Sequence, residues 1–350
     1  MRWTFLFFVA AFAVPAATRA DSALVGPQAY HPAPVTGSSV WIAPSGSDAS
    51  GDGSRERPFL TPAKAATRGV DIVAVPGRYP GFGRLENGGT AATPLTVRPA
   101  ATGTVLFALQ DAGQPAEIAA SHVRLEGLEI TGRELANPGP CLAFGDGADD
   151  VEITHGRIHH CAAAIDTRGH AWIHGRLQDV TITDSERALD CPGNCSHQRW
   201  ERVRIERIGT EAASSTAIFF DAATQDVRWR DVSLRDTRGN GARFAGARPS
   251  IANSLFSQIS GTALRLEHGG FLARTEIAAS GRGLVANIGP DLAIERSLLR
   301  KLEPDAVPFA VAADDASPPS STLLIAYTRI EAPTSSLALA GKDSRHAITM

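Results

Sequence analysis

The sequence predicts an all-β chain wound as a parallel β-helix, and three observations carry that prediction. Short alternating runs with β-branched residues recur at Val123–Ile130, Val151–Thr154, Val180–Thr183, Val203–Glu206, Val227–Arg230, Ile251–Leu255, Leu272–Ile277, Leu292–Glu295 and Leu323–Ala326. Their starts fall roughly 20 to 31 residues apart, a solenoid period. A second run follows most of them after a turn rich in Ser, Gly and Asp: Cys141–Phe144, Ala164–Asp166, Ala188–Asp190, Ala217–Phe220, Ala242–Phe244, Ala263–Leu266 and Gly283–Val285. No unit holds an apolar pattern long enough for a helix, which excludes helical solenoids. A propeller blade needs four strands in about 40 to 50 residues, whereas these units carry two or three in fewer. One unit cannot bury its apolar face alone; stacked units make a continuous core.

In chain order, residues 1–20 combine Arg2, an apolar stretch from Thr4 to Val14 and small residues from Ala16 to Ala20, the parts of a secretory signal peptide. A linker is expected over 21–39 and a single domain over 40–350, with 40–80 forming its N-terminal cap and first coil. Thr61-Pro62 is an N-cap followed by Pro in the first helical turn, and good helix formers continue to Thr67. This predicts one short helix covering the edge of the first coil. Val70–Tyr79 then reads as a strand ended by Pro76-Gly77.

Val40, Pro44, Gly46, Asp48, Gly53-Ser54, Arg57-Pro58-Phe59, Thr61, Ala65-Ala66 and the run Gly69-Val70-Asp71, Val73, Val75-Pro76-Gly77, Tyr79 resemble the opening segment of secreted right-handed parallel β-helix proteins. Pectate-lyase-like polysaccharide lyases are among these. The resemblance implies a right-handed coil, a periplasmic or extracellular location and a carbohydrate substrate. Lyases, hydrolases, epimerases and non-catalytic proteins share the architecture, so the reaction is argued from the site. Asp48 and Asp52 lack the further acidic positions of an EF-hand loop, which leaves that segment a mark of the fold rather than a calcium site.

With 34 Lys+Arg against 37 Asp+Glu, the chain has no basic signature for nucleic acid. No segment after the first twenty residues is long and apolar enough to span a bilayer, and a monomer is expected. Cys141, Cys161, Cys191 and Cys195, an even number in an exported chain, predict disulfides with three pairings open. Zinc is disfavoured by the absence of Cys-x2-Cys spacing. No nucleophile elbow, phosphate loop or dinucleotide fingerprint is present.

Stacking places equivalent positions of successive coils about 4.8 Å apart, so polar ladders are where chemistry is sought. Aligning the second runs puts Asp166 and Asp190 outward as neighbours. Two carboxylates so close raise the pKa of one unless a cation lies between them. Ca2+ held by Asp166, Asp190, Asn194 and Asp221 is one expectation. An acid–base pair on a glycosidic bond is another, and structural ion pairs with Arg168 and Arg187 are a third. In the calcium-dependent lyases that the chain resembles, aspartates of adjacent coils hold Ca2+ against a uronate, and a Lys or Arg removes the proton α to its carboxylate. That implies Arg228 and Arg230 as bases beside Asp166 and Asp190.

Arg204 and Arg228 align as equivalent outward positions, with Glu206 and Arg230 at the next register. The like-charged pair suggests an anionic sugar bridging it. Arg168, Arg187, Arg204 and His160 are the expected substrate-binding residues. His155, His159, His160, His170, His174 and His197 cluster within two coils as further candidates for acid, base or ligand. The expected function is Ca2+-assisted β-elimination on an acidic polysaccharide. The alternatives are an aspartate-pair hydrolase and a non-catalytic glycan-binding or envelope protein.

Overall fold

A computed structural model of the chain describes residues 24–348 except 36, 210–214, 247, 280, 288–290, 302–306, 313–321, 331–336 and 342–343. The signal-peptide reading lies outside the described residues. The rest is a parallel β-solenoid whose coils each lay three short strands on three faces. Face one stacks Val40–Ile42, Asp71–Ala74, Leu95–Pro99, Val123–Glu126, Val151–Thr154 and Arg176–Gln178 before continuing toward the C-terminal end. Face two stacks Gly77–Tyr79, Val105–Ala108, Leu128–Thr131, Arg157–His159 and Thr181–Ser185. Face three is a sheet of 12 strands running from Arg84–Leu85 to an antiparallel pair, Leu337–Gly341 with Ser344–Ile348.

Alternation explains the core. On Val151–Thr154 the residues Val151 and Ile153 are buried while Glu152 and Thr154 are partly exposed. Inward side chains stack on the coil below: Phe144 on Trp172 with ring centroids 4.5 Å apart, Trp200 on Trp229 at 4.8 Å, and Phe220 on Phe244 at 5.1 Å. Such offset aromatic stacks add to the hydrophobic contribution of burial. The helix Pro62–Ala65 forms with the Thr61 hydroxyl accepting from the Lys64 amide, and it packs against Val40–Ile42 and Arg84–Leu85. The disulfides pair Cys141 with Cys161 and Cys191 with Cys195.

Corners between faces are made by single residues with positive φ. Between faces one and two these are Gly127, His155, Asp179, Arg202, Asp231, Asn253, Arg274, Arg296 and Tyr327; between faces two and three, His160, Asp184, Arg207, Asp236 and Gln258. His, Asp and Asn tolerate the left-handed region better than branched residues do, which accounts for much of this composition. Where the corner is one residue long, a strand runs through it, as Arg199–Ile208 and Arg228–Thr237 do.

That geometry corrects two sequence expectations. The runs at Val180 and Val203 belong to face two, whereas those at Val151 and Val227 belong to face one. Arg204 and Arg228 are therefore not neighbours: Arg228 sits beside Arg199, and Arg204 lies between Thr181 and Ser233. Likewise Arg230 is beside Glu201, and Glu206 beside Arg235. Faces one and two carry the same alternation only five residues apart, so matching by pattern slid one face onto the other. The segment expected as a linker, 24–35, has no regular secondary structure but lies against the coils: the Gln28 amide donates to Asp179, and Arg98 donates to the carbonyls of Ala33 and Pro34.

Candidate functional site

Asp166 and Asp190 meet as the sequence predicts. They are register partners on the outward side of face three, in the row Glu117, Ala143, Asp166, Asp190, Phe219, Arg243, Arg265. Each coil contributes an Ala-Ile-Asp or Ala-Leu-Asp strand, whose apolar middle residue is buried and whose Asp faces out. Burial pushes the Asp190 carboxyl above its ordinary range; the Arg187 guanidinium opposes this and the Asp166 charge reinforces it. Arg187 is ion-paired with Asp190, and Asp166 accepts the Arg168 amide at 2.7 Å, with the Arg168 side chain exposed in the turn. Phe219, half-buried next to Asp190, carries the Arg243 guanidinium over its ring at 5.5 Å. From Asp166 onward the row thus offers two adjacent carboxylates, an aromatic surface and arginines in consecutive coils.

The arginines expected as bases are elsewhere. Arg228 and Arg230 project from face one, held by Asp226 at 2.8 Å and by Glu201. Arg204 projects from face two and makes a two-point contact with Glu206, at 2.7 and 3.0 Å. None of the three shares the face of the aspartate pair, so the single groove expected to hold Asp166, Asp190, Arg228 and Arg230 does not form.

The donor set bears on calcium. Asp190 is engaged by Arg187, and the Asn194 side-chain oxygen accepts the amide and hydroxyl of Ser196. Among the described residues no group of three acidic, imidazole or thiol side chains is placed to hold an ion. A hard dication needs six to eight oxygens, and of the three expected carboxylates, Asp166, Asp190 and Asp221, one carries a guanidinium. No chemical step is routed through Ca2+.

Four of the histidines are pinned to aspartates at 3.2 Å or less. His122 reaches Asp150 at 2.7 Å, His170 reaches Asp146 at 2.7 Å, His174 reaches Asp149 at 3.1 Å and His197 reaches Asp226 at 3.2 Å. His159 and His160 differ. They lie at the corner of faces two and three, where a cavity of about 350 Å³ opens between Arg133, Leu135, His160, Asp184, Glu186 and Arg207. Buried His159 contacts Glu129 through Nε2 at 2.7 Å and His160 Nδ1 through its own Nδ1 at 2.6 Å. The hydrogen bond from His159, reinforced by its charge and that of Arg157, holds the Glu129 carboxyl below its ordinary range against the effect of burial. Burial, then the neighbouring His159, pushes the His160 imidazole below its ordinary value. Arg207 grips Asp184 at 2.6 and 2.8 Å and holds that carboxyl down to about 2. The sequence offered only the adjacent His159-His160 as a signal; Glu129 is 30 residues away, on the strand one coil earlier.

No protein-family model matches the chain, and no curated protein matches it in sequence. Solved structures do match. A rhamnogalacturonan lyase superposes with a TM-score of 0.51 at 13% identity, over 86% of this chain and 91% of the other. A pectate lyase gives 0.40 at 13% over 85% and 80%, and the catalytic domain of an α-1,3-glucanase with nigerose gives 0.44 at 10% over 87% and 67%. The first likeness shows the β-solenoid fold.

Proposed function

We propose that this chain is an exported enzyme that cleaves an acidic, uronate-containing polysaccharide by β-elimination along face three. The observation that carries the reading is the outward row in which Asp166 and Asp190 adjoin Phe219, Arg187, Arg243 and Arg265. The aromatic ring suits a sugar face, and arginines suit carboxylates along the polymer. The named activity of the rhamnogalacturonan lyase that shares the fold agrees with it. Two disulfides are compatible with export, as is the finding that no helix among the described residues is long and apolar enough to cross a membrane. We read the coil as right-handed, the sense parallel crossovers overwhelmingly take, the helix Pro62–Ala65 as the cover of the first coil, and the protein as a monomer.

One observation favours a second reading, hydrolysis. Asp190, its carboxyl pushed up by burial and by Asp166, suits a general acid, with Asp166 as its partner one strand spacing away. A single assay separates the two. Purified protein is incubated with polygalacturonate, alginate and glucuronate polymers while absorbance of the unsaturated product and new reducing ends are followed, with and without chelator. Elimination predicts rising absorbance in wild type and a loss on the order of 100-fold in D190N. New reducing ends without absorbance establish hydrolysis instead, and retained binding without cleavage establishes a glycan-binding protein. A chelator-sensitive rate restores Ca2+ to the site.

A further inference from the structure

Elimination needs a base, and face three lacks the one expected, since Arg228 and Arg230 are committed to ion pairs on face one. The corner pocket supplies a candidate in a chain of three contacting side chains, Glu129, His159 and His160. Glu129 is an acceptor when ionised, so His159 donates to it through Nε2–H. When His159 is in its neutral form, its Nδ1 lone pair can accept the Nδ1–H of His160 at 2.6 Å, with the Thr131 hydroxyl also 3.2 Å from that atom. The remaining nitrogen of His160, Nε2, is left with a lone pair and has no protein partner among the described residues. Carboxylate, buried imidazole and pocket-facing imidazole thus form a chain that delivers basicity to one atom.

We infer that His160, backed by His159 and Glu129, is the proton-abstracting base of this protein, and that the pocket it lines seats one uronate unit of an acidic polysaccharide. The inference rests on the β-elimination reading above and names the base for it. The cavity, about 350 Å³, is within the range of small-ligand pockets. Its charged lining is asymmetric. Arg207 is neutralised by Asp184 and Glu206, whereas Arg133, exposed at the rim, has no ion-pair partner among the described residues and is available for the uronate carboxylate. Leu135 gives the pocket apolar surface, and Gly132 keeps it close, since a Cβ there would stand 2.6 Å from the His160 carbonyl oxygen. Glu186 on the pocket lining leads directly into the strand Arg187–Cys191, so at about 3.3 Å per residue Asp190 is roughly 13 Å along the same coil. One polymer strand can engage both.

In the step itself, His160 Nε2 takes the proton on the carbon α to the uronate carboxylate, whose charge Arg133 offsets. The C–H electron pair becomes the new C=C bond, and the bond from the β carbon to the glycosidic oxygen breaks with its pair on oxygen. That oxygen takes a proton from water, and the imidazolium returns its proton to the hydroxide left behind. His159 and Glu129 are positioning residues that fix the His160 tautomer, and the Glu129 anion favours protonation of the imidazole pair. The charged and titratable groups bearing on His160 are His159, Asp184, Arg133 and Arg157, with Glu129 behind His159 and with Glu186 and Arg207 on the lining of the same cavity.

The test uses the full chain and the polyuronates above, with H155Q as a matched control and circular dichroism to confirm folding. H160Q is expected to lower the rate of unsaturated product by on the order of 10²- to 10⁴-fold with KM little changed, while H155Q stays near wild type. Because the His160 imidazole is held below its ordinary value, wild-type rate rises with pH to a plateau, with the midpoint of the rise below about 6.5. E129Q removes the anion that favours the protonated chain, so it lowers the plateau and moves that limb further toward acid, a shift that lost packing does not produce. If wild type forms unsaturated product and H160Q keeps it within about threefold, His160 is not the base, and the elimination reading stands. If wild type forms none from any polymer, that reading falls, and an imidazole NMR titration with D-galacturonate decides the pocket. Unmoved His160 resonances overturn the inference, whereas a raised His160 pKa upholds the uronate seat alone.

Discussion

Two corners of the solenoid carry the same residues and differ in what covers them. Between faces one and two the column reads His155, Asp179, Arg202, Asp231; five residues on in each coil, between faces two and three, it reads His160, Asp184, Arg207, Asp236. In both, Arg grips Asp of the preceding coil at two points, 2.7 and 2.9 Å at the first corner and 2.6 and 2.8 Å at the second. The first corner is closed by the segment 24–35, with the Gln28 amide on Asp179 and the Tyr30 ring 5.5 Å from that of His155. The second opens on the cavity. A His–Asp–Arg stack is therefore first a device for building a left-handed corner, and it does not by itself mark a site. What singles out His160 is the cavity in front and the Glu129–His159 relay behind; His155 has neither, and its Nδ1 is buried without a partner.

Removing the arginine separates the corners most strongly. The Asp179 side chain is 1% exposed, and burial opposes its ionisation, yet Arg202 and the Gln28 amide hold its carboxyl below the ordinary range. R202A strands a buried charge and is expected to cost about 3–5 kcal/mol in urea unfolding. R207A, removing a side chain 49% exposed, is expected to cost about 1 kcal/mol or less. It should also abolish an acid limb. Asp184 is lowered to about 2, so its share of stability is present above the ordinary carboxylate pKa, near 3.8, and is lost as pH falls toward 2. Equal costs at the two corners would mean that the cover over the first contributes nothing.

Next in size are the disulfides. Cys141–Cys161 joins two coils beside the pocket across a separation of 20 residues, while Cys191–Cys195 closes a separation of 4. Loop-closure entropy favours the longer loop, at about 3 kcal/mol, and gives less for the shorter. Replacing Cys141 and Cys161 by Ser should lower thermal stability more than replacing Cys191 and Cys195, and only the first should weaken D-galacturonate binding. The opposite order would place the weaker part of the molecule on the other side of face three.

The corner comparison also explains what was legible in the sequence. Period-two runs announced strands and their recurrence announced coils, because burial of alternate residues leaves no other pattern. Asp166 and Asp190 were found as neighbours because face three is bounded by long turns, which keep its Ala-Ile-Asp and Ala-Leu-Asp strands in clear register. Arg204 and Arg228 were misplaced because faces one and two are separated by a single corner residue, which the alternation does not reveal. The relay was hidden for another reason. Glu129 and His159 meet only through the register of Arg157–His159 on Leu128–Thr131, and the cavity depends on the path of residues 132–138, neither of which is written in local propensity.

The finest test alters the cover and leaves the columns intact. Gly127 is the first member of the covered column, with φ of 63°, and a Cβ there would stand 2.5 Å from Tyr30 Cδ1. Since His155 and Asp179 hold similar φ values one and two coils on, the backbone tolerates a side chain, and the clash with Tyr30 is what remains. G127A is thus expected to lift the segment 24–35 from the corner at a cost of about 1 kcal/mol. The Tyr30 phenol, pushed up to about 12 by burial and by Glu126, should return toward its ordinary value in an ultraviolet titration, and limited proteolysis should cut near Tyr30 sooner. Uncovering places His155 and Asp179 in the same exposed setting as His160 and Asp184 but without a relay or a cavity. Activity should stay at the wild-type level, because exposure of a His–Asp–Arg column is not what makes a base; a gain in G127A would show that the cover, and not the relay, distinguishes the two corners.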